Sequence, residues 1–210
     1  MTFPVTQARE ARLVECRFAR RDDVMSLSGW ARSVRSDDAL SVQDTAEYAD
    51  IAAEKWRYSH KQGRLGDSTD TIEYLLTRNA TSEVAALLVV EATWLPSAKP
   101  LGFCYFRRSW SHNLLVDFLG THPEVVRAEH PIRGVGVGLL FAVMWIGEKL
   151  QTGDLRGEAT DQSAKFYQRQ FRDYGIQDEF RLSAAEQSIF LEKIRAKWRS
   201  TGLDFEERRL

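Results

Sequence analysis

Residues that build metal centres and disulfide frameworks are scarce in this chain. Its 210 residues include two cysteines, Cys16 and Cys104, and four histidines, His60, His112, His122 and His130. There is no CxxC pair and no pair of histidines at i, i+4 spacing, so neither a structural nor a catalytic metal is expected. Each cysteine lies within a strand-like pattern, LVECRFA and LGFCYF, which suits buried, reduced thiols and a cytoplasmic location. An excess of one charge is also missing. Twenty-nine Lys and Arg face thirty Asp and Glu, for a net charge of −1, which removes the electrostatic case for a nucleic-acid or anionic-membrane partner. Long hydrophobic runs are absent too: the longest, Leu139 to Ile146, is far short of the roughly 20 residues that cross a bilayer. The first residues lack the basic stretch followed by an apolar one that marks a secretory signal. Any anion site must therefore be built locally.

What is present is an ordinary globular composition, 43% hydrophobic and 28% charged, enough for one large domain or one domain with an extension. Leu13 to Phe18 alternates as a strand, and the Arg21-Asp22-Asp23 cluster opens a helix expected to reach about Val34. A second helix is expected from a cap at Asp44 or Thr45, with Tyr48, Ile51, Ala52 and Trp56 at helical spacing, ending before Gly63. TIEYLLTRN reads as a short helix. EVAALLVVEATW, LGFCYFRRSW and LLVDFLG, joined by the turns PSAKP and SHN, predict an antiparallel meander of three strands. Then come a helix from Val135 to Leu150, a strand in DLRGEAT, a helix SAKFYQRQFRDY ended by Gly175, and a strand in IQDEFRLS. The tail AAEQSIFLEKIRAKWRSTG has helical spacing at Ile189, Phe190, Ile194 and Trp198, as a packing helix or a homodimer helix.

The segment RGVGVGLLFAVMWIGEKL places three glycines in five residues at the start of an apolar helix. Two readings are open. The glycines can serve a tight turn with positive φ, or they can let an anion approach backbone N–H groups at a helix start, where the helix dipole favours negative charge. The spacing fits neither the dinucleotide fingerprint GxGxxG nor a P-loop. The remaining pattern, R-x-x-G-x-G after antiparallel strands, resembles that of the GNAT superfamily of acyl-CoA-dependent N-acyltransferases. It falls on Arg133, Gly134, Val135, Gly136, Val137 and Gly138. The later segment Ser163-Ala164-Lys165-Phe166-Tyr167 resembles the helix of that family in which an alanine precedes a Phe-Tyr pair, with Ser163 in place of the alanine and Phe171-Arg172 in place of a Gly-Phe pair.

The resemblance implies an α+β fold, a mostly antiparallel central sheet flanked by helices, over residues 12–182, with residues 183–210 as a C-terminal helical extension. It implies acetyl-CoA as acyl donor, its pyrophosphate held by residues 133–138 with Ser163 near by, and its pantetheine arm along the strand before the loop, at Leu119, Gly120 and Thr121. The expected activity is acetyl transfer to a primary amine. Alternatives are a GNAT-like protein that binds acyl-CoA or a partner without turnover, and an unrelated nucleotide-binding module. Direct attack on a thioester needs a neutral amine, donors for the developing oxyanion and a proton for the departing sulfur. Tyr167 is the candidate acid, its alternative being an amphipathic packing residue. For the base, Asp117 on a face with Leu115 and Leu119 competes with Glu91 and with a water chain. His122 is expected to form a turn rather than to touch phosphate. The acceptor, a small molecule or a peptide amine, is shaped by residues 23–70. Their aromatic and acidic side chains suit a cationic amine or equally a packed helix pair.

Overall fold

The computed structural model describes residues 1–95, 100–207 and 210; most of the PSAKP turn lies outside them. The chain begins with β1 (Thr2–Gln7) and β2 (Glu10–Phe18), α1 (Arg21–Leu27) and a 3-10 turn (Trp30–Ser33). It continues with α2 (Leu40–Lys61), the short β3 (Leu65–Gly66), α3 (Thr69–Arg78), β4 (Val84–Glu91), β5 (Gly102–Arg108) and β6 (Leu114–Thr121). After α4 (Pro123–Arg127) come α5 (Val135–Lys149), β7 (Leu155–Glu158), α6 (Asp161–Phe171), β8 (Glu179–Leu182) and α7 (Ala184–Arg199). The strands form one mostly antiparallel sheet in the order β1-β2-β4-β5-β6-β7-β8, with β3 beside β4; β3–β4 and β6–β7 are its parallel pairs. The expected meander is β4-β5-β6.

Strand alternation sorts the core onto the two sheet faces. Ala86, Leu88 and Val90 face α5 and α7, whereas Ala85, Leu87 and Val89 face α1 and α2. On α2 the buried side is Ala46, Ala49, Ala52 and Ala53, and these small side chains let the helix lie close to the sheet. Three helix bounds differ from the expectation, and one helix is additional. α1 stops at Leu27, with Gly29 just beyond it, and a separate 3-10 turn follows. α2 starts at Leu40, and Thr45 lies inside it, its hydroxyl donating to the Ser41 carbonyl at 2.7 Å. α6 ends at Phe171, where Arg172 takes φ +57°, so Gly175 is not its stop. The link His122–Ile132 carries a helix of its own, α4, with Pro123 at its first position, where a missing N–H is no loss.

The apolar core runs through both segments placed outside residues 12–182. Met1, Phe3 and Val5 of β1 and Phe190, Leu191, Ile194 and Trp198 of α7 belong to the same buried cluster as α5. Trp198 stacks on Phe3 at 5.4 Å and packs on Phe141 at 4.4 Å. α7 is thus a packing helix, with Ile189 of the expected apolar stripe exposed and Leu191 buried. Among the described residues no helix is long and apolar enough to cross a membrane.

Candidate active site

Two strands part at the site. β6 runs parallel to β7 from Leu114 to Val116; beyond that, its β7-side edge is unpaired among the described residues while its other edge stays on β5 as far as Thr121. At the parting point β6 carries a β-bulge. Tyr105 pairs with Phe118 and Phe106 with Val116, which leaves Asp117 as the extra residue. The bulge overturns the expected face. Leu119 now packs into the α5-side core, Phe118 faces Tyr105 and α2, and Asp117 does not share a side with Leu119. Asp117 is instead gripped by Arg107, whose Nε and Nη2 donate to its two carboxylate oxygens at 2.6 and 2.9 Å; Arg107 also reaches Glu83 at 2.8 Å. The Asp117 hydrogen bonds, with Glu83 adding to them, hold the guanidinium well above its ordinary range.

The parted strands, the first turns of α2 and the start of α6 enclose a cleft of about 180 Å³ that includes Asp117, Leu119, Ser163 and Tyr167. Tyr167 is 4% exposed, wedged against Phe166, Phe171 and Phe180 with centroids 5.1, 5.9 and 4.3 Å away. Its hydroxyl has no hydrogen-bond partner among the described residues, and burial first, then Cys104, pushes the phenol above its usual value. Ser163 is engaged in the α6 capping box: its N–H donates to the Thr160 hydroxyl, and its own hydroxyl accepts from the Thr160 N–H at 2.9 Å. Glu91 pairs with Arg17 and does not line this cleft. His122 caps α4, its Nδ1 accepting from the Glu124 N–H at 3.2 Å, and burial lowers its pKa.

α5 begins at Gly134, whose φ of +107° is a conformation that favours glycine. Its first three amides, those of Val135, Gly136 and Val137, lie too early for intrahelical bonds and have no other partner among the described residues, whereas Gly138 donates to the Gly134 carbonyl at 2.9 Å. Arg133 bonds through its backbone to Thr6 of β1 in both directions, and its exposed side chain lines a second cleft with Gly134, Val137 and Lys197. Gly136 sits against the α6 side, where an added Cβ would lie 3.3 Å from the Phe166 ring and 4.0 Å from Leu119. A Cβ on Gly138 would lie 2.1 Å from the Phe3 ring, so that glycine serves the packing of β1 under α5. Of the expected residues, Leu119, Ser163 and Tyr167 line the first cleft and Arg133, Gly134 and Val137 the second, whereas the side chain of Val135 and the α-carbon of Gly138 face the core. Sequence reading missed Arg107, whose role depends on a bulge, and Lys197, which comes from α7. The Pro after His122 was a readable signal for α4.

No protein-family model and no curated protein matches the chain. Among solved structures, an acetyltransferase of the GNAT family from Staphylococcus aureus Mu50 is similar over 81% of this chain and 99% of that one, at 10% identity and a TM-score of 0.52. The PaiA N-acetyltransferase from Thermoplasma acidophilum, in complex with coenzyme A, matches over 81% and 98% at 16% identity and a TM-score of 0.46. Nourseothricin acetyltransferase matches over 48% of this chain and 65% of its own length, at 18% identity and a TM-score of 0.37. With the Staphylococcus structure matched along nearly its full length, the mostly antiparallel sheet flanked by helices described here has the fold of the GNAT-family acetyltransferases.

Proposed function

We propose that the protein moves an acetyl group from acetyl-CoA to a primary amine by direct attack on the thioester. One observation carries this reading: a helix start with three unengaged amides lies against Leu119 of the parted strand and against Phe166, the neighbour of a buried tyrosine whose hydroxyl has no partner among the described residues. Acetyl-CoA supplies an acyl group activated by its thioester. The amides of Val135, Gly136 and Val137 and the α5 dipole suit a pyrophosphate, and Arg133 and Lys197 in the adjoining cleft add positive charge. The free edge of β6 at Leu119, Gly120 and Thr121 offers backbone groups to the pantetheine amides and a donor to the developing oxyanion.

Tyr167 then donates a hydrogen bond to the departing sulfur. Its raised pKa keeps it protonated at neutral pH and makes complete proton transfer to a thiolate, whose thiol titrates near 8.5, uphill. Asp117 has both carboxylate oxygens engaged by Arg107 and fixes the bulge. In this reading water in the cleft takes the amine proton. The test is thermal unfolding with acetyl-CoA. At 100 times the dissociation constant, linkage gives about 2.7 kcal/mol of stabilisation, a shift of several degrees. A folded sample that shows no shift at millimolar acetyl-CoA overturns the reading.

A further inference from the structure

The cleft that holds Tyr167 is acidic beyond what the transfer step needs. Its lining includes Asp44, Asp117 and Glu158 and no Lys, Arg or His. Asp117 is neutralised by Arg107. The carboxylates of Asp44, from the second turn of α2, and of Glu158, the last residue of β7, have neither an ion pair nor a hydrogen bond among the described residues. They converge from different elements on Tyr48, whose phenol is pushed up by burial first and then by Asp44, Glu47 and Glu158. The Tyr48 ring packs on Phe118 at 5.6 Å, giving the same wall two aromatic faces, and the Lys55 ammonium lies 5.8 Å from the Phe118 ring centre. Opening into the same cavity is the unpartnered hydroxyl of Tyr167, a side chain more than nine-tenths buried.

Unpaired carboxylates beside aromatic faces at one cleft favour a cation, which is attracted both to the carboxylates and to the rings. That cation is not the reacting nitrogen. The nitrogen must be neutral to attack, and two carboxylates beside it would raise its pKa and hold it charged. We propose, on the strength of the transfer reading above, that the acceptor is a small aliphatic diamine, with its non-reacting ammonium between Asp44 and Glu158 against Tyr48. A volume of about 180 Å³ suits a short flexible chain. The neutral nitrogen forms the N–C bond as the C–S bond breaks, the sulfur leaves with the electron pair, and solvent takes the proton released by nitrogen.

The experiment measures CoA release from acetyl-CoA with three acceptors of equal length: 1,5-diaminopentane, 1-aminopentane and 5-aminopentanoate. The expected kcat/KM is at least about tenfold higher for the diamine than for the monoamine, with the amino acid lowest. In Asp44→Asn and Glu158→Gln, thermal stabilisation by acetyl-CoA is retained while the diamine-to-monoamine ratio falls towards one. Equal use of the first two acceptors, preference for 5-aminopentanoate, no turnover of any of them by protein that binds acetyl-CoA, or an unchanged ratio in both variants overturns the proposal. Should acetyl-CoA itself fail to bind, the transfer reading falls, and calorimetric titration of 1,5-diaminopentane alone decides the cleft: binding weakened in Asp44→Asn supports it, and no binding to the wild-type protein overturns it.

Discussion

Tyr167 meets two demands that one substitution separates. Its ring fills a buried aromatic cluster with Phe166, Phe171 and Phe180, while its hydroxyl opens into the cleft. Tyr167→Phe keeps the ring and removes the donor. Turnover should fall about 10²-fold or more, the range for a lost acid or oxyanion-type donor, with acetyl-CoA affinity within a few fold and the melting temperature nearly unchanged. Because burial raises the phenol, ionisation of Tyr167 should not reduce the wild-type rate below about pH 10. Steady-state kinetics at saturating acetyl-CoA check both points, and wild-type turnover in the variant would reduce Tyr167 to a packing residue.

α5 shows how one sequence feature divides among separate physical tasks. Gly134 is needed for its backbone angle, Gly136 for the closeness of Phe166 and Leu119, and Gly138 for the Phe3 ring beneath it. Gly138→Ala forces a methyl into that ring and should destabilise the fold by about 1–3 kcal/mol, the usual range for overpacking. It should leave acetyl-CoA affinity of the folded protein within a few fold, because the Gly138 amide is already bonded to Gly134. Denaturant unfolding and ligand titration of the same variant test this, and a variant of normal stability that no longer binds would place Gly138 in the phosphate site. Gly136→Val is the less informative change, since its side chain would strike Phe166 and shift α6 as well as crowd the helix start.

Across the whole molecule, buried titrating groups set the pH range of stability. Burial pushes the Cys16 thiol up to about 12 and Cys104 well above its ordinary value, so the unfolded chain releases these protons first. Stability is complete below about pH 9 and is lost as pH rises, at about 1.4 kcal/mol per pH unit for each thiol. His122 works in the opposite direction. Its folded pKa is lowered by burial, so the unfolded chain takes up the proton first and stability falls below about pH 6.5. Urea unfolding should give a plateau between these limits, and Cys16→Ala should flatten the alkaline limb by one proton's slope while leaving the acid limb in place. An alkaline limb of unchanged steepness in Cys16→Ala would contradict the assignment.

Much of the fold was legible because its elements are locally encoded. The runs 84–91, 102–108 and 114–121 alternate between two apolar faces, and the glycine stretch at 133–138 announces both its helix and its backbone angles. β1 was not legible: TFPVTQ is short and contains Pro4, which is tolerated because β1 is an edge strand, and an edge position is known only once the sheet is assembled. The same limit applied to the site. A bulge is a relation between two strands, so alternation alone put Asp117 beside Leu119, and only the pairing of β5 with β6 turned it towards Arg107. The unengaged amides at the start of α5 were determined by the sequence, because N–H direction at a helix start follows from the chain itself. The convergence of Asp44 and Glu158, more than a hundred positions apart, was decided by tertiary structure, because it depends on where β6 and β7 part and how closely the alanine face of α2 meets the sheet.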